Sequence, residues 1–173
     1  PFHFQLLHGY CAYYGPSLYD SCMSLKIGDK IPFFSAYNQF GRNIVSEDII
    51  GKKTVLFFYP KDDTYVCTKE ACSFRDAYSV FSEHDIQVYG ISGDGIVEHK
   101  AFATKHSLNY TLLSDDQHRI RDLFGVPRSF LGLLPGRVTY CIDKEGYILS
   151  IINSAFGSDY HVKEALNTFN IRD

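Results

Sequence analysis

The segment 54–59 (TVLFFY) leaves few folds open: it is short, apolar, rich in β-branched and aromatic residues, and closed by Pro60, which reads as a buried strand. Beyond Pro60 the apolar period changes, with Ala71, Phe74, Tyr78 and Phe81 recurring at helical spacing. A strand therefore becomes a helix across 60–67, and Cys67 falls in the first helical turn. Free backbone N–H groups and the positive end of the dipole favour an anion there. Cys72 follows five residues later.

The rest of the chain repeats the alternation. Strands are expected at 33–36, 54–59, 87–92, 138–143 and 147–153, and helices at 67–82, 96–106, 117–123 and 159–169. Asp159 is expected to cap the last helix, with Val162, Leu166 and Phe169 on one face. Lys144-Glu145-Gly146 reads as the turn of an antiparallel hairpin. Together these imply an α/β sandwich whose mixed sheet is parallel inside, carries an added hairpin and is covered by helices.

The 173 residues, 45% of them hydrophobic, suffice for one domain, placed at 25–173. Residues 1–24 carry no Lys or Arg and read as an N-terminal extension, compatible with the remnant of a targeting segment. A net charge of -3 without a basic stripe argues against nucleic acid and anionic membrane as partners. No apolar run approaches the roughly 18 residues of a membrane span, so a soluble protein is expected.

Five cysteines are too few and too irregular for a disulfide scaffold, which points to a reducing, intracellular compartment. Cys11 and Cys22 read as incidental thiols, and Cys141 as a buried strand thiol. The seven histidines form no ligand pattern and read as surface or packing residues, so no metal and no cofactor is expected. Asp62-Asp63 and Asp115-Asp116 read as solvated neighbours facing apart, and 90–95 as a strand-end turn.

A free thiol with a pKa of about 8.5 is only about 3% ionised at pH 7, whereas one at about 6 is roughly 90% thiolate. That shift represents about 3.4 kcal/mol, and a helix terminus supplies about 0.3 to 1. A cation must therefore approach Cys67, with Lys61, Lys69, Arg75, Arg128 and Arg137 as candidates. Two helical residues five apart lie about 8 to 9 Å apart between Cα atoms, and a disulfide needs less than about 7 Å. Cys67 and Cys72 can bond only if the first turn unwinds, which suits a redox switch. A metal pair or two inert cysteines are the competing readings.

Pro60-x3-Thr64-x2-Cys67 resembles the peroxidatic motif of peroxiredoxins, and the segment from Cys67 to Asp76 (CTKEACSFRD) resembles the peroxiredoxin Q subgroup, also called bacterioferritin comigratory protein. The segments 57–64 (FFYPKDDT), 90–94 (GISGD), 110–115 (YTLLSD) and 134–140 (LPGRVTY) carry the resemblance from about Leu25 to the C-terminus. It implies a thioredoxin-like three-layer sandwich, with Cys67 as peroxidatic nucleophile and Cys72 as resolving thiol. Arg137 would be the required cation, Thr64 would hold the thiolate and peroxide oxygen, and Pro60 would shield the nucleophile from water. Many members have Pro-Gly just before the nucleophile, where this chain has Tyr65-Val66.

The resemblance implies a thiol-dependent peroxidase for hydrogen peroxide and organic hydroperoxides, an antioxidant oxidoreductase recycled by thioredoxin or a similar dithiol. It further implies a monomer and, from similarity to plant and algal members, a plastid location. The alternatives are a thiol–disulfide oxidoreductase, against which Cys-x4-Cys spacing argues, and a non-enzymatic redox sensor.

Overall fold

In the computed structural model, which describes residues 25–129, 134–154 and 157–171, the buried run is a central strand. The elements in chain order are β1 (Ser35–Asn38), β2 (Asn43–Val45), β3 (Lys53–Phe58), α1 (Tyr65–Asp76), α2 (Tyr78–Glu83), β4 (Ile86–Ser92) and α3 (Ile96–Lys105). There follow β5 (Thr111–Ser114), α4 (Arg119–Leu123), β6 (Arg128–Ser129), β7 (Leu134–Pro135), β8 (Val138–Ile142), β9 (Ile148–Asn153) and α5 (Ser158–Thr168). Seven strands form one sheet in the order β2-β1-β5-β4-β3-β8-β9, and β6 pairs with β7 apart from it. β3, β4 and β5 are mutually parallel, and the remaining pairs are antiparallel.

The continuous apolar pattern of β3 has a direct cause. Val55, Phe57 and Tyr59 enter a core with side chains of α1, α2, α3 and α5, whereas Leu56 and Phe58 enter a second core with those of α4, β1 and β2. A strand buried on both faces has no polar side to alternate with. The Phe57 ring stacks on Phe74 with centroids 4.4 Å apart, and it lies so close to β4 that a Cβ on Gly90 would come within 2.8 Å of it. The expected hairpin is β8–β9, with Gly146 at φ +90 in its turn.

Several boundaries moved. The first strand sits at Ser35–Asn38 rather than 33–36, because the Asn38 carboxamide accepts from the N–H groups of Phe40 and Arg42 and so turns the chain into β2. β2 and the four-residue β5 were not anticipated; β5 is made by pairing with β4 on one side and β1 on the other. The expected helix 67–82 breaks at Ala77 into α1 and α2, and α1 begins earlier, at Tyr65. α4 starts at Arg119, where the Asp115 carboxylate accepts from the N–H groups of Ile120 and Arg121. α5 starts at Ser158, so Asp159 lies inside its first turn and accepts a hydrogen bond from Ser73 Oγ at 2.6 Å instead of capping. The expected extension 1–24, with Cys11 and Cys22, lies outside the described residues. Among the described residues no helix is long and apolar enough to cross a membrane.

Candidate active site

Three parallel strands end side by side, and the chain leaving β3 forms the site. Pro60 is half-buried just past β3, Thr64 precedes α1, and Cys67 is the third residue of that helix. Cys67 is 2% exposed, closed in by the core that holds Ala71 and Phe74 one and two turns along the same helix face. The antiparallel register pairs Phe58 with Val138, so Arg137, immediately before β8, stands beside the end of β3 from which α1 departs.

Arg137 is the approaching cation. Its Nη2 donates to Cys67 Sγ at 3.2 Å, and its Nη1 donates to Glu70 Oε2. Of the other candidates, Arg75 pairs with Asp76 and donates to His106 O, while Lys69 lies over the Tyr65 ring, 4.4 Å from its centroid. Lys61 and Arg128 are exposed. Burial opposes the charge on Arg137, but Glu70 and the Cys67 sulfur outweigh burial and raise its pKa. A guanidinium held between a thiol and a carboxyl stabilises negative charge on the sulfur and, in the same dry site, on any oxygen bound next to it.

Thr64 stands at the expected place with a different hydrogen bond. Its hydroxyl donates to Lys61 O at 3.1 Å, and its backbone carbonyl accepts from Thr68 N at the head of α1. Cys72 is half-buried on the same unbroken helix as Cys67, so the two thiols cannot join without a change in α1. Cys141 is fully buried in β8, and burial pushes its thiol up to about 12.

The structure adds residues that sequence reasoning left out. Glu70, 0% exposed, has its carboxyl raised to about 7 by burial, with Arg137 acting in the opposite direction. Among the described residues its Oε1 has no hydrogen-bond partner, and it lies 3.7 Å from His161 Nδ1. His161 Nε2 donates to Ser154 O and its Nδ1 meets the Thr139 hydroxyl at 2.8 Å, while burial lowers its pKa. Arg121, 3% exposed, donates to Gly136 O and to Tyr59 O, both at 2.9 Å, and so ties the approach to β8 to the end of β3. Burial lowers the pKa of Arg121, with Asp115 and Asp122 opposing that shift.

The expectation for the paired aspartates is corrected. Asp62 and Asp115 are buried and hydrogen-bonded rather than solvated, although their neighbours Asp63 and Asp116 do face out. Of the histidines, expected as surface or packing residues, His99 and His161 are packing ones, wholly inside with polar partners on both ring nitrogens. One signal was available for Glu70: it lies three residues after Cys67 on an otherwise core-facing helical stripe.

A helix-covered mixed sheet with a cysteine at the strand-to-helix junction, buried against an arginine, defines a thiol-active protein of thioredoxin-like fold. The chain belongs to the AhpC/TSA family, whose model matches residues 27–151, and within it to the peroxiredoxin Q group. It is 46% identical over 139 residues to chloroplastic peroxiredoxin Q of Gentiana triflora, covering 80% of this chain and 64% of that protein. Against the chloroplastic peroxiredoxin Q of Triticum aestivum it is 43% identical over 145 residues, covering 84% and 67%. This chain thus spans about two thirds of the length of these relatives. Among solved structures, peroxidoxin BcpB from Mycobacterium tuberculosis superposes with a TM-score of 0.78 at 38% identity, over 86% of this chain and 99% of that one. A peroxiredoxin Q mutant from Xylella fastidiosa, with a TM-score of 0.79 at 22% identity over 86% and 97%, shares the fold.

Proposed function

We propose that this protein is a thiol-dependent peroxidase for hydrogen peroxide and organic hydroperoxides. The observation that carries the reading is the 3.2 Å hydrogen bond from Arg137 Nη2 to the buried Sγ of Cys67. The Cys67 thiolate attacks one peroxide oxygen; the S–O bond forms as the O–O bond breaks, and the leaving oxygen departs with its electron pair and takes up a proton. Cys67 is then a sulfenic acid. Arg137 stabilises both the attacking sulfur and the leaving oxygen, Pro60 limits access of water, and the Thr64 hydroxyl turns from Lys61 O to the bound peroxide.

Resolution needs Cys72. The first turn of α1 unwinds, the Cys72 sulfur attacks the Cys67 sulfur, water leaves and an intramolecular disulfide forms. A dithiol of the thioredoxin type restores both thiols by exchange. The chloroplastic relatives support a plastid location, and the protein works as a monomer.

Rapid mixing of reduced protein with peroxide, followed by mass mapping and thioredoxin-coupled turnover, tests the reading. Cys67→Ser should consume no peroxide, and Cys72→Ser should complete one turnover and stop. Continued turnover by Cys67→Ser would sink the assignment.

A further inference from the structure

The proposed cycle makes opposite demands on the segment between β3 and α1. It must hold Thr64 and Cys67 still for the peroxide, then release the first turn for Cys72. The side chains that anchor this segment lie outside the thiol site. Asp62, 7% exposed, accepts from the Tyr59 hydroxyl at 2.6 Å through Oδ1 and meets His99 Nδ1 at 2.7 Å through Oδ2. His99 comes from α3, is 0% exposed, and its Nε2 reaches Leu113 O at 3.2 Å. The Asp62 backbone N–H donates to Asp94 Oδ2 at 2.8 Å, and Ser92 Oγ donates to that same oxygen.

The proton count in this cluster is constrained. A carbonyl oxygen only accepts, so His99 Nε2 carries a hydrogen. The short contact at Nδ1 then needs a second proton, borne by the ring or by Asp62. Tyr59 already spends its hydroxyl hydrogen on the other carboxyl oxygen. All three side chains are buried, and removing one leaves another unpaired in a dry interior, where that is most costly.

The contrast with the next residues is sharp. Asp63 is exposed with φ 56, and Thr64, Tyr65 and Val66 are exposed as well. Among the described residues no side chain caps α1 at Thr64. The buried polar anchor therefore ends at Asp62; Asp63 is held only at the surface, where its Oδ1 meets Lys105 Nζ at 2.7 Å and His106 Nε2 at 3.3 Å, just before the part of the chain that must unwind. We propose that Asp62, His99 and Tyr59 form a clamp that positions the peroxidatic loop and sets how readily the first turn of α1 opens. These are positioning residues: they act through the loop and touch neither thiol nor peroxide. The proposal rests on the peroxidase reading for its consequence in turnover, and on the geometry alone for its effect on opening.

The test compares wild type with His99→Phe, with Asp62→Asn, and with Tyr59→Phe as the mildest change should the others fold poorly. Amide hydrogen exchange in the reduced proteins reads local opening. Exchange over 63–68 should quicken about ten-fold in His99→Phe, the loss expected for a buried charge-assisted hydrogen bond, while β3 and β4 keep their protection. After peroxide, the ratio of Cys67–Cys72 disulfide to Cys67 sulfinic acid should rise by a similar factor, because an open turn presents Cys67 to Cys72 sooner. KM for peroxide should rise, because the loop is held less firmly. Exchange that rises uniformly over the whole sheet, or a disulfide-to-sulfinic ratio equal to wild type, would overturn the clamp. Absence of any peroxide reaction in wild type would instead overturn the peroxidase reading, and the exchange comparison would still decide the clamp.

Discussion

Two buried thiols in one core have opposite surroundings. Cys67, at the head of α1, has a buried guanidinium 3.2 Å from its sulfur; Cys141, in β8, belongs to the same apolar cluster and is pushed up to about 12 by burial. Burial by itself makes a thiol inert, because it removes the water that would solvate the anion. Burial next to a fixed cation gives the opposite chemistry. The difference lies in where each backbone places its sulfur: at the open end of a helix beside the start of β8, or inside β8, which pairs with β3 on one side and β9 on the other.

The strongest way to break this comparison is to remove the cation. Arg137→Gln should lower kcat/KM for peroxide by about 1,000-fold, the scale seen when a preorganised donor to a developing charge is lost. A rate near wild type would mean that the guanidinium is not what separates Cys67 from Cys141.

Glu70 sharpens the comparison next, since it shares Arg137 with the sulfur. In the folded chain Glu70 keeps its proton to about pH 7, whereas 4.5 is its ordinary value. The folded state therefore binds the extra proton between those limits. The stability this group contributes is complete below about pH 4.5 and is lost as pH rises through about 7, a change of about 3 kcal/mol. Urea unfolding at pH 5 and pH 8 should show wild type losing more stability than Glu70→Gln across that interval. Parallel pH profiles would show that the carboxyl is not held protonated.

The smallest effect belongs to the other thiol. Cys141→Ala should cost about 1 kcal/mol through lost packing and leave kcat/KM for peroxide unchanged. In the folded protein at pH 8, alkylation mapped by mass should leave Cys141 unmodified. Rapid alkylation there, or loss of turnover in Cys141→Ala, would give β8 a part in the chemistry.

Much of this was legible along the chain because it depends on local pattern. The run 54–59, the helical spacing after it and the hairpin around Gly146 each state a preference within a few residues. β2 and β5 were not legible, since three or four residues hold an extended shape only when neighbours pair with them. Asp62 looks like a solvated residue in sequence, and His99 like a surface or packing one. They are thirty-seven residues apart, and only folding buries them together. Arg121 was missed for the same reason: its partners are the carbonyls of Tyr59 and Gly136.

The sequence by itself determined a buried strand that turns into a helix at Pro60, a cysteine in the first turn of that helix, and a second cysteine too far along it to bond while the helix lasts. It also required a cation and offered five. Spacing could not choose among them and the family resemblance pointed to Arg137; what brings it to Cys67 across seventy residues of chain is the antiparallel register of β3 and β8. The physical reason is reach. Helix and strand preferences act over a few neighbouring residues, whereas the field at a sulfur depends on whatever charge the fold places within a few ångströms of it.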